Sequence, residues 1–85
     1  LRIKVRFLSY LMEILGIKEQ EIEAPDGINL GELVEIIKGK WPQLRKLDIE
    51  SEGPIIVLLN GATAKLATKI KEGDEISILP PATGG

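Results

Sequence analysis

Neither cysteine nor histidine occurs anywhere in these 85 residues. That double absence excludes disulfides, thiolate catalysis, the usual zinc ligand sets and histidine general-base chemistry in one step. A basic excess is also missing. The formal net charge is −2 and the pI about 5.1, which argues against a polyanion as the main partner, so nucleic acid is not an expected ligand. Long apolar runs are absent too: the longest aliphatic stretch, Ile55 to Leu59, is far too short to span a bilayer. No charged segment followed by an apolar one opens the chain, so the expected location is the cytoplasm, with no membrane partner. Leu1 is not a translation start, whereas Gly85 reads as the natural carboxyl end. Gly27, Gly31, Gly39 and Gly61 form no phosphate-binding spacing, so any ATP in this protein's chemistry is used by another protein and no cofactor is expected to be bound here. Asp74 and Glu75, adjacent at a strand start, point to opposite faces and read as turn and solvent residues rather than as an acid/base pair.

What is present describes one small folded domain. Hydrophobic residues make up 44% and charged residues 28%, a globular balance, in a chain near the lower length limit for an independent core. Arg2 to Leu8 alternates, with Ile3, Val5 and Phe7 on one face, and predicts a strand. Ser9 is placed to cap a short helix over Tyr10 to Leu15, with Leu11, Ile14 and Leu15 at helical spacing and Gly16 as the left-handed stop. Glu19 to Ala24 alternates again and ends at the turn Pro25-Asp26-Gly27, predicting a second strand paired with the first. Asn29 with Glu32 three positions on forms a capping box, and Leu30, Leu33, Val34 and Ile37 make the apolar stripe of the main helix. Pro42 ends that helix, leaving Trp41 as core cover at its exit. A short helical turn is expected within Gln43 to Glu52. Ile55 to Leu59 predicts a strand bounded by Gly53-Pro54 and by Asn60-Gly61, a strong short hairpin signal. Ala64 to Ile70 is read as a short strand or turn leading to the last strand, Glu75 to Leu79. This order suits an α+β domain of the ubiquitin-like β-grasp class, a single mixed sheet with one main helix across it. β-grasp ferredoxins need four cysteines and are excluded.

Residues 1–79 form the domain in this reading, and residues 80–85 a tail. Pro80 and Pro81 lack the N–H that a sheet needs, so they end the last strand and should hold the next residues extended and detached from the sheet. Gly84 and Gly85 are the thinnest possible peptide, able to pass through a channel that a side chain would block, and they are expected to be mobile in isolation. The Gly85 carboxylate is the candidate reacting group. A carboxylate does not react with nucleophiles in water, so a partner must activate it, for example by adenylation.

The segments Glu72-Gly-Asp-Glu-Ile, Asn60-Gly61 and Pro80-Pro-Ala-Thr-Gly-Gly85, with Glu13-Ile-Leu-Gly16 and Asn29-Leu-Gly-Glu-Leu33 in the same order, resemble the small, sulfur-carrying subunit of molybdopterin synthase. One departure is Met12, where members often carry Arg, so an ion pair made there by relatives is not expected. The resemblance implies that an ATP-using enzyme of the ubiquitin-activating type adenylates Gly85 and that a sulfur donor displaces AMP to leave a thiocarboxylate. The tail then enters the large synthase subunit, in a heterotetramer of two small and two large subunits, and delivers sulfur to the pterin precursor of the molybdenum or tungsten cofactor. In that scheme Gly85 carries the reacting group, Gly84 gives clearance, and Pro80, Pro81, Ala82 and Thr83 set extension and register. The small subunit has no active site of its own.

The fold further implies that Leu8 and Leu79 meet on the outer sheet face, joined by Ile56 and Leu58 and bordered by Arg2, Lys4 and Arg6. Such a patch predicts a protein partner. Other readings stay open: a ubiquitin-like modifier conjugated through Gly85 to lysines, a sulfur carrier of the thiamine or tRNA-thiolation pathways, or an interaction domain with an inert tail. The Tyr10 to Leu15 helix speaks against the thiamine carrier, which usually lacks it.

Overall fold

The computed structural model describes residues 1–50 and 54–81. Seven elements succeed one another: β1 (Arg2–Phe7), α1 (Leu11–Leu15), β2 (Glu19–Glu23), α2 (Leu30–Lys40), α3 (Gln43–Glu50), β3 (Ile56–Leu59) and β4 (Glu75–Leu79). Four strands form one sheet in the order β2-β1-β4-β3. β1 lies at the centre, antiparallel to β2 and parallel to β4, while β3 runs antiparallel to β4. The sheet is mixed, and the arrangement is the ubiquitin-like β-grasp.

The alternation read in β1 is the physical basis of the core. Ile3, Val5 and Phe7 are fully buried, as are Ile76 and Ile78 on the neighbouring strand. α2 covers this inner face with Leu30, Leu33, Val34 and Ile37. Its start is the expected capping box. The Asn29 Oδ1 accepts from the Glu32 N–H at 2.8 Å, and Glu32 Oε1 accepts from the Asn29 N–H at 3.1 Å. Trp41 closes the far end of the helix by packing on Phe7.

Several local expectations change. Ser9 does not cap α1: its φ is 57°, and the N-cap is Tyr10 with no side-chain cap bond. The chain needs that left-handed residue to leave β1 and reverse into the helix, so the hydroxyl is not presented to the first turn. Ile14 is 47% exposed, because a helix of five residues has room to bury only Leu11 fully. Gly16, with φ 71°, ends it as read. The segment after Pro42 is a full helix rather than one turn, anchored by fully buried Leu44. Asn60 and Gly61, with φ of 51° and 84°, make the tight turn, and of the short strand or turn read over Ala64 to Ile70 it is the turn that forms, at Leu66 and Ala67. Ala62 bridges Leu59 and Lys69 bridges Asn29 as isolated pairs, so β3 finds its partner in β4.

Candidate functional site

The outer face of the sheet is set by the same alternation that makes the core. Along β1 the outward positions are Arg2, Lys4, Arg6 and then Leu8, just beyond the strand. Along β4 they are Glu75, Ser77 and Leu79. The Leu8 N–H donates to the Ile78 carbonyl at 3.0 Å, which keeps the two chains level past the end of β1. In the β3–β4 register Ile56 faces Leu79 and Leu58 faces Ser77. Leu8, Leu79, Ile56 and Leu58 therefore share one face at one end of the sheet. Ile56 is 37% exposed and the other three are half-buried, so the group is accessible aliphatic surface at the end of β4, where Pro80 follows.

Charge borders this surface. Arg6 is shared between carboxylates from both flanking strands, with Nε 3.4 Å from Glu19 Oε2 and Nη1 3.2 Å from Glu75 Oε1. Arg2 Nε lies 3.8 Å from Glu21 Oε2. Ser77 sits between Arg6 and Leu58 in the register and is the one buried polar residue among the described residues, 8% exposed. Being smaller than its neighbours, it lowers the middle of the face. The sequence marks Ser77 as an ordinary outward polar position, and only the strand order shows it flanked by long side chains. A separate depression of about 400 Å³ between α2 and β3 is lined by Val34, Ile55, Val57 and Leu66. Leu66 is 66% exposed and stands alone in a loop, where no periodicity signals it.

The acidic residues of the last turn have structural work, consistent with reading them as turn residues. Glu72 Oε1 accepts from the Arg2 N–H at 2.8 Å. Asp74 accepts from the Lys71 N–H and from Asn60 Nδ2, and Asn60 Oδ1 in turn accepts from the Glu75 N–H. These bonds hold the start of β4 against β1 and β3.

β4 ends at Leu79, where Pro80 begins, as proline chemistry requires. Pro80 is half-buried and Pro81 is buried. A proline ring is apolar and gains from leaving water, and that tendency is invisible in a tail read only for its backbone. The remaining tail positions, Ala82, Thr83, Gly84 and Gly85, lie outside the described residues, as do Ser51, Glu52 and Gly53. Among the described residues no helix is long and apolar enough to cross a membrane.

Comparison with known proteins converges on one group. The chain is 30% identical over 87 residues to a molybdopterin synthase sulfur carrier subunit of Chlamydomonas reinhardtii, with 100% of both chains covered. It is 27% identical over 79 residues to small archaeal modifier protein 1 of Haloferax volcanii, covering 88% of this chain and 91% of that one. The crystal structure of that modifier superposes with a TM-score of 0.80 at 25% identity, covering 99% of each chain. In the Helicobacter pylori complex of subunits 1 and 2 of molybdopterin-converting factor, a chain matches with TM-score 0.64 and 30% identity over the full length of both. The ThiS family model matches residues 5–85. With the β-grasp sheet and its aliphatic outer face, these matches lead to one conclusion: the chain belongs to the ThiS family of ubiquitin-like β-grasp sulfur carriers.

Proposed function

We propose that this chain is the sulfur carrier subunit of a molybdopterin synthase. The observation that carries the reading is its full-length similarity to a curated subunit of that kind. The accessible aliphatics Leu8, Ile56, Leu58 and Leu79 support it by offering a docking face beside the root of the tail. In the proposed cycle an adenylating enzyme of the ubiquitin-activating type joins the Gly85 carboxylate to AMP and releases pyrophosphate from ATP. Sulfur at the sulfide level then attacks the acyl carbon and expels AMP, leaving a thiocarboxylate.

The loaded chain docks on the large subunit through its outer face, with two small and two large subunits in the assembly. The thiocarboxylate sulfur bonds to a carbon of the pterin precursor and displaces an oxygen substituent from it, and water then cleaves the acyl–sulfur bond, leaving the sulfur on the pterin and restoring the Gly85 carboxylate. Two loaded chains serve each dithiolene. The large subunit supplies the pocket and the catalytic side chains; this chain supplies the reacting carbon and the docking face.

A second reading, conjugation of Gly85 to lysines of other proteins, draws support from the likeness to the Haloferax volcanii modifier. The two readings separate in one experiment on the native host. The intact mass of the protein is measured while lysines in the same lysate are searched for Gly-Gly remnants. A form heavier by one oxygen-to-sulfur exchange, without lysine adducts, is the outcome expected of a carrier. Adducts without the thiocarboxylate would replace the carrier reading with the modifier one.

A further inference from the structure

Asn60 is followed by a glycine, whereas the other asparagine of the chain, Asn29, is followed by Leu30. An asparagine side chain is open to attack by the next backbone nitrogen, and glycine leaves that nitrogen unshielded because it has no Cβ. Nothing else covers it here. Asn60 and Gly61 are both exposed, and the space that a Cβ would occupy at Gly61 is clear of other atoms to 4 Å. Burial therefore does not protect this dipeptide, but hydrogen bonds do. Asn60 Nδ2 donates to Asp74 Oδ1 at 3.0 Å and Asn60 Oδ1 accepts from the Glu75 N–H at 2.9 Å, so both ends of the amide are held to the start of β4. The backbone is held as well, since the Asn60 N–H donates to the Glu75 carbonyl at 2.8 Å.

We propose that Asn60 is a site of spontaneous deamidation guarded by the fold, so that its conversion marks chains in which the turn between β3 and β4 has opened. The inference does not depend on the carrier reading. In the reaction the Gly61 nitrogen bonds to the Asn60 side-chain carbonyl carbon. The bond from that carbon to Nδ2 breaks, and the proton of the Gly61 N–H leaves with the amide nitrogen as ammonia. Water then opens the cyclic imide at either carbonyl, giving aspartate or isoaspartate. The amide must leave Asp74 and Glu75 to reach Gly61, so opening of the turn comes first. The native bonds cannot re-form afterwards. A carboxylate has no N–H to offer Asp74, and it sets a second negative charge where the donor lay 3.0 Å from Asp74 Oδ1. Isoaspartate also inserts the side-chain methylene into the backbone, between the Leu59 and Ala62 positions that are bonded to each other across the turn.

The test follows the full chain by mass spectrometry at mildly alkaline pH, in buffer and in urea, with fragmentation to locate the exchange of an NH for an O and Asn29 as internal reference. Asn60 is expected to convert roughly thirty- to thousandfold more slowly in buffer, since two side-chain bonds, one of them to a carboxylate, must break first. Asp74→Ala removes the acceptor for Nδ2 and is expected to convert about tenfold faster than wild type in buffer, and at the same rate in urea.

The consequence for the fold is read from urea unfolding. Asn60→Asp is expected to lower the folded-to-unfolded ratio about tenfold. Combining it with Asp74→Asn is expected to recover the loss, because the amide at position 74 then donates to the carboxylate at position 60 and still accepts from the Lys71 N–H. Equal conversion rates of wild type in buffer and in urea overturn the proposal. So does a double variant no more stable than the sum of its single changes implies, which would show that the bond between Asn60 and Asp74 is not the guard.

Discussion

The rings of Phe7 and Trp41 meet edge to face, with centroids 4.7 Å apart and planes inclined at 74°. One lies at the end of the central strand and the other at the exit of the main helix, so this pair closes the layer between sheet and helix. Edge-to-face pairs add about 0.5–1.5 kcal/mol beyond the area they bury. Trp41→Ala is expected to cost about 3 kcal/mol in urea unfolding, at the lower end for a large aromatic because Trp41 is only partly buried. Since it is the only tryptophan, the variant is followed by circular dichroism. A loss below about 1 kcal/mol would show that the pair does not close the core.

The capping box at α2 supports a second expectation. Asn29→Ala removes the acceptor for the Glu32 N–H and should cost about 1 kcal/mol, whereas Asn29→Asp should cost only a few tenths. Equal losses for the two variants, read from denaturation midpoints, would mean that the cap bond contributes nothing.

On the outer face, Leu58→Asp and Leu79→Asp are expected to leave the fold intact, because both side chains point away from the core. Each should weaken binding to the large subunit by about tenfold or more, since a charge placed at the centre of an apolar contact costs at least the roughly 2 kcal/mol of a hot-spot truncation. Titration calorimetry with the large subunit checks this, and unchanged affinity would remove the docking face from the proposed function.

Arg6 gives a contrasting case. It bridges Glu19 and Glu75, but all three side chains are more than a third exposed, so such pairs contribute roughly 0.2–1 kcal/mol and are screened by salt. Arg6→Gln should therefore lower stability by less than about 1 kcal/mol, with the difference shrinking in about 1 M salt. A salt-independent loss of several kcal/mol would assign Arg6 a packing role instead.

At the tail, Gly84→Val is expected to leave folding untouched and to abolish sulfur transfer in a reconstituted synthase, because a branched Cβ fills the clearance that glycine provides. Full activity in that variant would mean that the tail does not pass through a narrow channel.

Short-range pattern carries a large part of this protein. The two-residue period of Arg2 to Leu8 set which side chains of β1 are buried. Asn29 and Glu32 placed the start of α2, and Pro80 set where β4 stops. The chemistry excluded by the lack of cysteine and histidine was equally legible, as was the family resemblance carried by the last residues.

Contacts between residues far apart in the chain determine the rest. Nothing near Ser9 signals that the chain must turn left-handed there instead of capping a helix; that depends on where α1 lies relative to the sheet. Leu44 and Ile14 look alike as aliphatics at helical spacing, yet one is fully buried and the other exposed, because α1 turns Leu11 to the core and leaves Ile14 outside. The alignment of Ile56 with Leu79, and of Ser77 between Arg6 and Leu58, exists only once β4 has inserted between β1 and β3. Burial of Pro81 belongs to the same class. Local propensity acts over a few residues of backbone, whereas a sheet face is assembled from strands that meet only after the chain has closed on itself.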